Sequence, residues 1–342
     1  MLSALHSLLL AFAVATAADG AALNLSEAVV VTRGEQAARA EKMAAIVLIE
    51  EAAIRTGLQW KSRTELPESG PAIALSLNSD DAFRKSATAS IVEAASSLKK
   101  EGYLIAIDSG RAARPIIWVV GADARGVLFG VGKLLRTMEL TKGSARLDPK
   151  THIASSPAYP IRGHQLGYRQ HANTYDAWDA QKYEQYIRDM AIFGANCVEG
   201  IPFQDDRKSP LMPIPRKEMN ARISEICDRY DQDYWIWTPA TFDLKDQARR
   251  AEALKEHEAL YKACPRLDAI FFPGGDPGDN PPQLVLPFLE DLSKLLAKYH
   301  PKAKIWLSLQ GFHGEDAEYT YQYLDKQQPD WIGGIVCGPG SP

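Results

Sequence analysis

The sequence predicts an α/β protein: a small α+β domain followed by a (β/α)8 TIM-type barrel that is truncated after strand six. Three observations carry this reading. From Arg162 onward, six short apolar runs alternate with five amphipathic runs, the pattern of a parallel sheet with crossover helices. Before that point two strands, Tyr103–Ile107 and Ile116–Val120, follow one another around a turn at Ser109-Gly110, as antiparallel neighbours do. Between the halves, Ser155-Ser156-Pro157-Ala158-Tyr159-Pro160 has the prolines and small polar residues of a joint.

The elements follow in order. The start, Met1 to Gly20, carries an apolar core at Leu8–Ala15 and a small-x-small pattern at Ala15-Thr16-Ala17, which predicts a signal peptide over residues 1–17 and export. That run is too short to span a membrane. The α+β domain is placed at 22–150. It opens with a strand at Val29–Val31 and a helix over Arg39–Arg55, whose face is Met43, Ile46, Val47, Ile49 and Ile54 and whose stop is Gly57. A strand at Ala72–Leu77 and a helix over Ser86–Lys100 come next, then the two paired strands, then a helix over Ala124–Met138 capped by Asp123. The glycines at Gly126, Gly130 and Gly132 mimic a phosphate loop before Lys133, but Leu134 stands where magnesium needs a hydroxyl. Close helix–sheet packing explains them better.

The barrel is placed at 158–342. Its strands are expected at Gly163–Tyr168, Asn196–Ile201, Tyr234–Thr238, Ala269–Phe272, Lys304–Leu309 and Trp331–Cys337. The helices are expected at Gln181–Phe193, Lys217–Tyr230, Asp246–Tyr261, Gln283–Tyr299 and Asp316–Lys326. In the first, Tyr183, Tyr186, Ile187, Met190 and Phe193 share one face. Two strands are missing from a closed barrel, so the chain reads as a fragment.

Composition narrows the chemistry. The 342 residues are 46% hydrophobic and 24% charged with a net charge of −4, ordinary for a globular protein. No Lys/Arg block stands out, which argues against a nucleic-acid partner. Cys197, Cys227, Cys264 and Cys337 form no CxxC pair and have no histidine at ligand spacing, so buried free thiols are expected. No metal or nucleotide cofactor is implied.

Barrel chemistry sits at the carboxyl ends of the strands. Those ends offer Gln165, Tyr168 and Arg169, then Glu199 and Gln204-Asp205-Asp206, then Trp235, Trp237 and Thr238. Strand four leads into Phe272-Pro273-Gly274-Gly275-Asp276-Pro277-Gly278-Asp279, and strand five offers Trp306, Ser308, Gln310 and His313. Indoles stack on sugar faces, and carboxylates and amides pair with hydroxyls. Glycosidic cleavage usually needs two carboxyl groups, one held protonated. Asp276, Asp279 and Glu199 are therefore the candidate catalytic acids. Arg162, His164, Trp237, Gln310 and His313 are the candidate sugar-binding residues. Each has a structural reading beside the functional one: a turn for Asp276, a helix cap for Asp279, an ion pair for Glu199, a domain bridge for Arg162 and a core position for the tryptophans.

Two stretches bring in a resemblance. Glu101-Gly102-Tyr103-Leu104-Ile105, with Ile117–Asp123 and Gly126–Val131, resembles the small N-terminal domain of the beta-N-acetylhexosaminidases (glycoside hydrolase family 20) and the alpha-glucuronidases (family 67). Ser156-Pro157-Ala158-Tyr159-Pro160-Ile161-Arg162-Gly163 looks like the entry to their catalytic barrel. The resemblance implies a glycoside hydrolase-like protein acting on O-glycosyl bonds of polysaccharide- or glycoconjugate-derived sugars, with Arg162 holding sugar hydroxyls. It also implies a strand-four Gly-Gly-Asp-Glu in which Asp orients an acetamido group and Glu is the acid. Gly274-Gly275-Asp276 matches three positions and Pro277 replaces the fourth. The alternative is a non-catalytic carbohydrate-binding relative, and a third reading is a fragment that does not fold by itself.

Overall fold

The computed structural model describes residues 21–108, 114–166, 173–203 and 211–338. The expected leader at 1–17, the turn at Ser109-Gly110, and Tyr168, Arg169 and Gln204-Asp205-Asp206 lie outside these residues.

The N-terminal half begins with β1 (Leu23–Asn24), β2 (Val29–Val31), α1 (Arg39–Thr56), β3 (Lys61–Arg63) and β4 (Ala72–Leu77). It continues through α2 (Asp81–Ser86), α3 (Ala89–Ser96), β5 (Tyr103–Asp108), β6 (Ile116–Gly121) and α4 (Ala124–Thr137), then β7 (Glu139–Thr141), β8 (Ser144–Leu147) and β9 (His152–Ser155). A six-stranded sheet has the order β3-β2-β4-β6-β5-β9, and β1-β8-β7 form a separate small sheet. β3, β2, β4 and β6 run parallel, while β5 is antiparallel to both neighbours.

Alternation along these strands separates two faces. Ile73, Leu75, Ile117 and Val119 pack under Val47, Leu48, Val127 and Val131 of α1 and α4. Ala72, Ala74 and Trp118 face α2 and α3 through Phe83, Ile91 and Ala95. The helix expected over Ser86–Lys100 is two short ones, because Ala87 is extended and Thr88 opens a new turn. Ile46 and Ile54, expected on the buried face of α1, are exposed, and Ala44, Leu48 and Ala52 are buried instead.

The α4 glycines do serve packing. A Cβ at Gly126 would strike the Gly102 carbonyl of β5's approach, and one at Gly132 would strike the backbone of Ile192. Asp123 caps the helix by accepting from Gly126 N at 2.9 Å.

The second half alternates strictly: β10 (Gly163–Gln165), α5 (Ala180–Ile192), β11 (Cys197–Gly200), α6 (Arg216–Tyr230) and β12 (Asp233–Trp237), then α7 (Gln247–Ala263), β13 (Ala269–Phe272), α8 (Pro282–Tyr299), β14 (Lys304–Ser308), α9 (Glu315–Gln327) and β15 (Ile332–Val336). The six strands lie in sequence order and are all parallel. The sheet curls as half a TIM-type barrel. Phe193, expected on the buried face of α5, falls past its end and is exposed, with Arg136 over its ring at 5.0 Å. Three cysteines are buried free thiols as expected, whereas Cys337 is exposed because it lies just beyond edge strand β15.

The two halves share one core, in which α1 and α4 meet α5 and α6. At the amino ends of the barrel strands, the buried carboxylate of Glu101 accepts from Arg125 at 3.0 Å and Arg162 at 2.8 Å. Asn196 Nδ2 adds a third donor at 3.0 Å. Removing one partner of a buried ion pair strands the others. Both guanidinium groups keep some solvent contact, so Glu101→Gln should lower unfolding stability by about 3 kcal/mol in urea denaturation. Glu252→Gln, which breaks an exposed pair with Arg249, should change it by less than about 0.5 kcal/mol.

Candidate functional site

Strand register decides which side chains share the concave face. Gln165, Glu199, Trp235, Ala269 and Lys304 are successive partners across β10 to β14. Trp237, Phe271, Trp306 and Gly334 form the next row. The alternate positions, Val198, Tyr234, Ile236, Ile270 and Ile305, are buried in the core with the outer helices. The first two rows therefore line the inside of the half-barrel.

Two features stand out on that inner face. Trp235 and Trp306 lie with ring centroids 5.1 Å apart at an interplanar angle of 31°. Gly333 and Gly334 make room for the Trp306 indole, which a Cβ at Gly333 would strike. Beside Trp235, the half-buried Glu199 accepts from Gln165 Nε2 at 2.7 Å. Burial pushes the Glu199 carboxyl from its usual 4.5 up to about 8, although the Gln165 hydrogen bond pulls the other way. Glu199 is thus mainly protonated at neutral pH, a carboxyl able to donate.

The loop after β13 docks on the loop after β14 through backbone. Gly275 N donates to Gln310 O at 2.8 Å. Gly274 adopts φ +80°, and a Cβ there would sit 2.6 Å from the carbonyl oxygens of Ser308 and Gln310, so this close approach needs glycine. Gln310 Nε2 donates to Asp276 Oδ2 at 2.5 Å, and Gln310 N is held by Ser308 Oγ at 3.1 Å. Asp276 and Gln310 are therefore brought together at the carboxyl ends of the strands, with Asp276 exposed. The Asp276–Pro277 peptide is cis.

Asp279 is exposed in the left-handed region at φ +50°. It does not cap α8, whose N-cap is Pro281. Trp237 is half-buried at the end of β12, and His313 is exposed on the loop after β14.

Two expected binding residues do not reach this face. Arg162 precedes β10, so it lies at the amino end of the strand; its guanidinium goes to Glu101, Gly194 O at 3.1 Å and Tyr159 O at 2.9 Å. His164 has the opposite parity to Gln165 and turns outward, with Nδ1 2.5 Å from Tyr186 Oη of α5. A residue that sequence reasoning missed is Asn280. It is buried, accepts from Leu244 N at 2.8 Å and donates to Phe242 O at 2.9 Å. It thereby ties the loop after β12 to the Asp276 loop, and its position just before Pro281-Pro282 was the available signal. Among the described residues, no group of three His, Cys, Asp or Glu side chains gathers as a metal site would.

An N-terminal α/β unit and a curled parallel half-barrel with carboxyl and indole groups at its open end make up the fold. Solved structures carry the same architecture. The GH20 beta-N-acetylhexosaminidase from Streptomyces coelicolor A3(2) is similar with a TM-score of 0.59 at 11% identity, over 92% of this chain and 72% of that one. CpGH84B is similar with a TM-score of 0.55 at 14% identity, over 85% of this chain and 48% of that one, so the chain spans about half of CpGH84B. At these identities the likeness establishes the fold. No family model and no curated protein matches the sequence.

The raised pKa of Glu199 has a measurable consequence. The folded state holds this proton at pH values where the unfolded chain has released it, so the stability it contributes is complete below 4.5 and is lost as pH rises through about 8. Glu199→Gln is neutral at every pH. The stability difference, wild type minus variant, should decline across that window in urea titrations; a flat difference would contradict the assignment.

Proposed function

We propose that the chain is a glycoside hydrolase-type protein that acts on O-glycosyl bonds at the open face of the half-barrel. What carries the proposal is the placement of the Glu199 carboxyl beside Trp235 on the concave face, where burial pushes its pKa up to about 8. A neutral carboxyl can deliver a proton to a leaving glycosidic oxygen. Trp235 and Trp306 supply the apolar surface on which a sugar ring stacks. Asp276, steered by Gln310, supplies the second carboxyl group. Trp237, His313 and Asp279 border this face, and in this reading they contact the sugar or its neighbouring unit. The likeness to a beta-N-acetylhexosaminidase structure favours the hexosaminidase-like reading over the alpha-glucuronidase-like one.

The test is turnover of aryl and natural glycosides. Glu199→Gln should lower kcat/KM about 10²–10⁴-fold on substrates with poor leaving groups, the usual worth of a general acid. The wild-type rate should fall as pH rises past about 8, where Glu199 loses its proton. Asp276→Asn should lose a comparable factor. Wild-type hydrolysis that survives both substitutions would end this assignment.

A second reading rests on Pro277, which occupies the position where a strand-four acid would follow Asp276. Here the same face binds carbohydrate without cleaving it. Glycan binding that depends on Trp306, with no hydrolysis across the substrate panel, would decide for this reading.

A further inference from the structure

The Glu199 carboxyl has a single protein partner, and the backbone fixes it. Gln165 is the last residue of β10 and is registered directly against Glu199 of β11. The ladder continues one step further, where Leu166 N donates to Glu199 O at 3.3 Å. The two side chains are therefore neighbours on the concave face by strand register. There Gln165 Nε2 donates to Glu199 Oε1 at 2.7 Å. Among the described residues, no other side chain bonds this carboxyl, and none bonds Oε2.

The chemistry of an amide on a carboxyl is directional. An oxygen that accepts an N–H serves as the carbonyl oxygen of the acid, so the acid proton belongs on the other oxygen. Arginine or lysine at this place would favour the carboxylate and strip that proton. A neutral amide leaves the proton in place, yet its bond strengthens as negative charge grows on the carboxyl. An interaction that strengthens on the way to the transition state accelerates the step. The geometry points to Gln165 as the positioning residue for proton delivery: held on Oε1, it places the transferable proton on Oε2 and steadies the carboxylate left behind. This rests on the reading of Glu199 as the acid. In that step the Oε2 proton passes to the glycosidic oxygen, which takes the electron pair of the breaking C–O bond. Water then bonds to the anomeric carbon, and the proton it releases restores Glu199.

The surroundings leave this task to Gln165. Tyr186 of α5 and Cys197 of β11 are the titratable groups that feel the Glu199 charge. Burial pushes both above their usual values, Cys197 to about 12, so neither changes charge in the window where Glu199 does. His164 lies on the other face of β10 and bonds Tyr186 instead. On the β12 side stands Trp235, which does not titrate. The Gln165 N–H favours the charged form of Glu199, so its removal raises the carboxyl further. If the amide were reversed, its oxygen would hold the acid proton, and its removal would lower the carboxyl instead.

The test joins a titration that needs no substrate with one that does. Glutamate carboxyls of the full chain are labelled with ¹³C and titrated, the Glu199 signal being assigned through Glu199→Gln. Gln165 is exposed, so Gln165→Met and Gln165→Lys leave the core intact. The Glu199 titration should move up in Gln165→Met and down in Gln165→Lys. On aryl and natural glycosides, Gln165→Met should lower kcat/KM about tenfold, the worth of one hydrogen bond to a charged group. The alkaline limb of its pH profile should move up, and that of Gln165→Lys should move down. A Glu199 titration that neither variant moves, or that moves down in Gln165→Met, overturns the inference. Glu199-dependent turnover that Gln165→Met leaves unchanged overturns it as well. Turnover that Glu199→Gln leaves unchanged overturns the acid reading itself, and the Gln165 role falls with it; the Glu199→Gln arm tells these two failures apart.

Discussion

The carboxylate of Glu101 is the constraint on which the rest of the structure rests. It sits in the left-handed region at φ 60°, a costly conformation for a residue with a side chain. Asp123 Oδ2 accepts from its backbone N–H at 2.7 Å while Asp123 Oδ1 caps α4. The carboxylate so positioned takes donors from α4 through Arg125, from the entry to β10 through Arg162, and from the start of β11 through Asn196. Asn196 Oδ1 in turn accepts from Arg162 N at 2.8 Å. Arg125 reaches on to Asp233 of β12, and Arg266 binds Asp233 and Asp231 and the Asp268 that precedes β13. One charged belt therefore ties the amino ends of four adjacent strands to the N-terminal sheet. A shift of β10 or β11 along its axis would break the pairs around the buried Glu101, and such breaks are expensive, while the pairs of Asp231, Asp233 and Asp268 are about a third exposed and contribute less each.

A belt at the amino ends frees the carboxyl ends. Barrel folds divide labour in this way, with stability at one rim and chemistry at the other. Here the upper rim is joined by directional hydrogen bonds, none of them an ion pair: Gly275 N to Gln310 O, Gln310 to Asp276, and Asn280 to the loop after β12. These fix loop geometry without filling the concave face with paired charge. The result is an exposed Asp276 next to a face whose own acid, Glu199, is half-buried and neutral.

Much of the fold was legible in the sequence because periodicity and capping are local. Strands β4 and β13 end where apolar runs meet turn residues, and Asp123, Asp179 and Asp246 cap α4, α5 and α7 by accepting from backbone N–H groups of the first turn. What was not legible depends on partners distant in the chain. Arg162 read as a sugar ligand through its match to the Arg-Gly pair of the resembled hexosaminidases, yet it lies just before β10 and its guanidinium bonds Glu101, Gly194 O and Tyr159 O. His164 shows the same limit at finer scale, since one position of parity separates it from Gln165 and sends it to Tyr186. The pairing of Trp235 with Trp306 needs the register across β13, and no single strand encodes that. Asn280 carries no sequence signal beyond its place before Pro281-Pro282, because its partners Leu244 N and Phe242 O lie more than thirty residues away.

The site logic then turns on where an acid must come from. In the Gly-Gly-Asp-Glu pattern that Gly274-Gly275-Asp276 resembles, acid and orienting carboxylate are neighbours on one loop, and this chain has Pro277 at the fourth position. A barrel rim imposes no such economy, because strands β11 and β13 both deliver side chains to the same concave face. What a general acid requires is a proton at neutral pH and access to the leaving oxygen. Glu199 meets the first requirement through burial beside Trp235, and Gln165 orients it without ionising it. On the proposed reading, the loss of the acid at Pro277 is therefore a relocation to the second barrel strand. On the same reading Asp276 would keep the orienting part of the pattern, aimed by its hydrogen bond from Gln310.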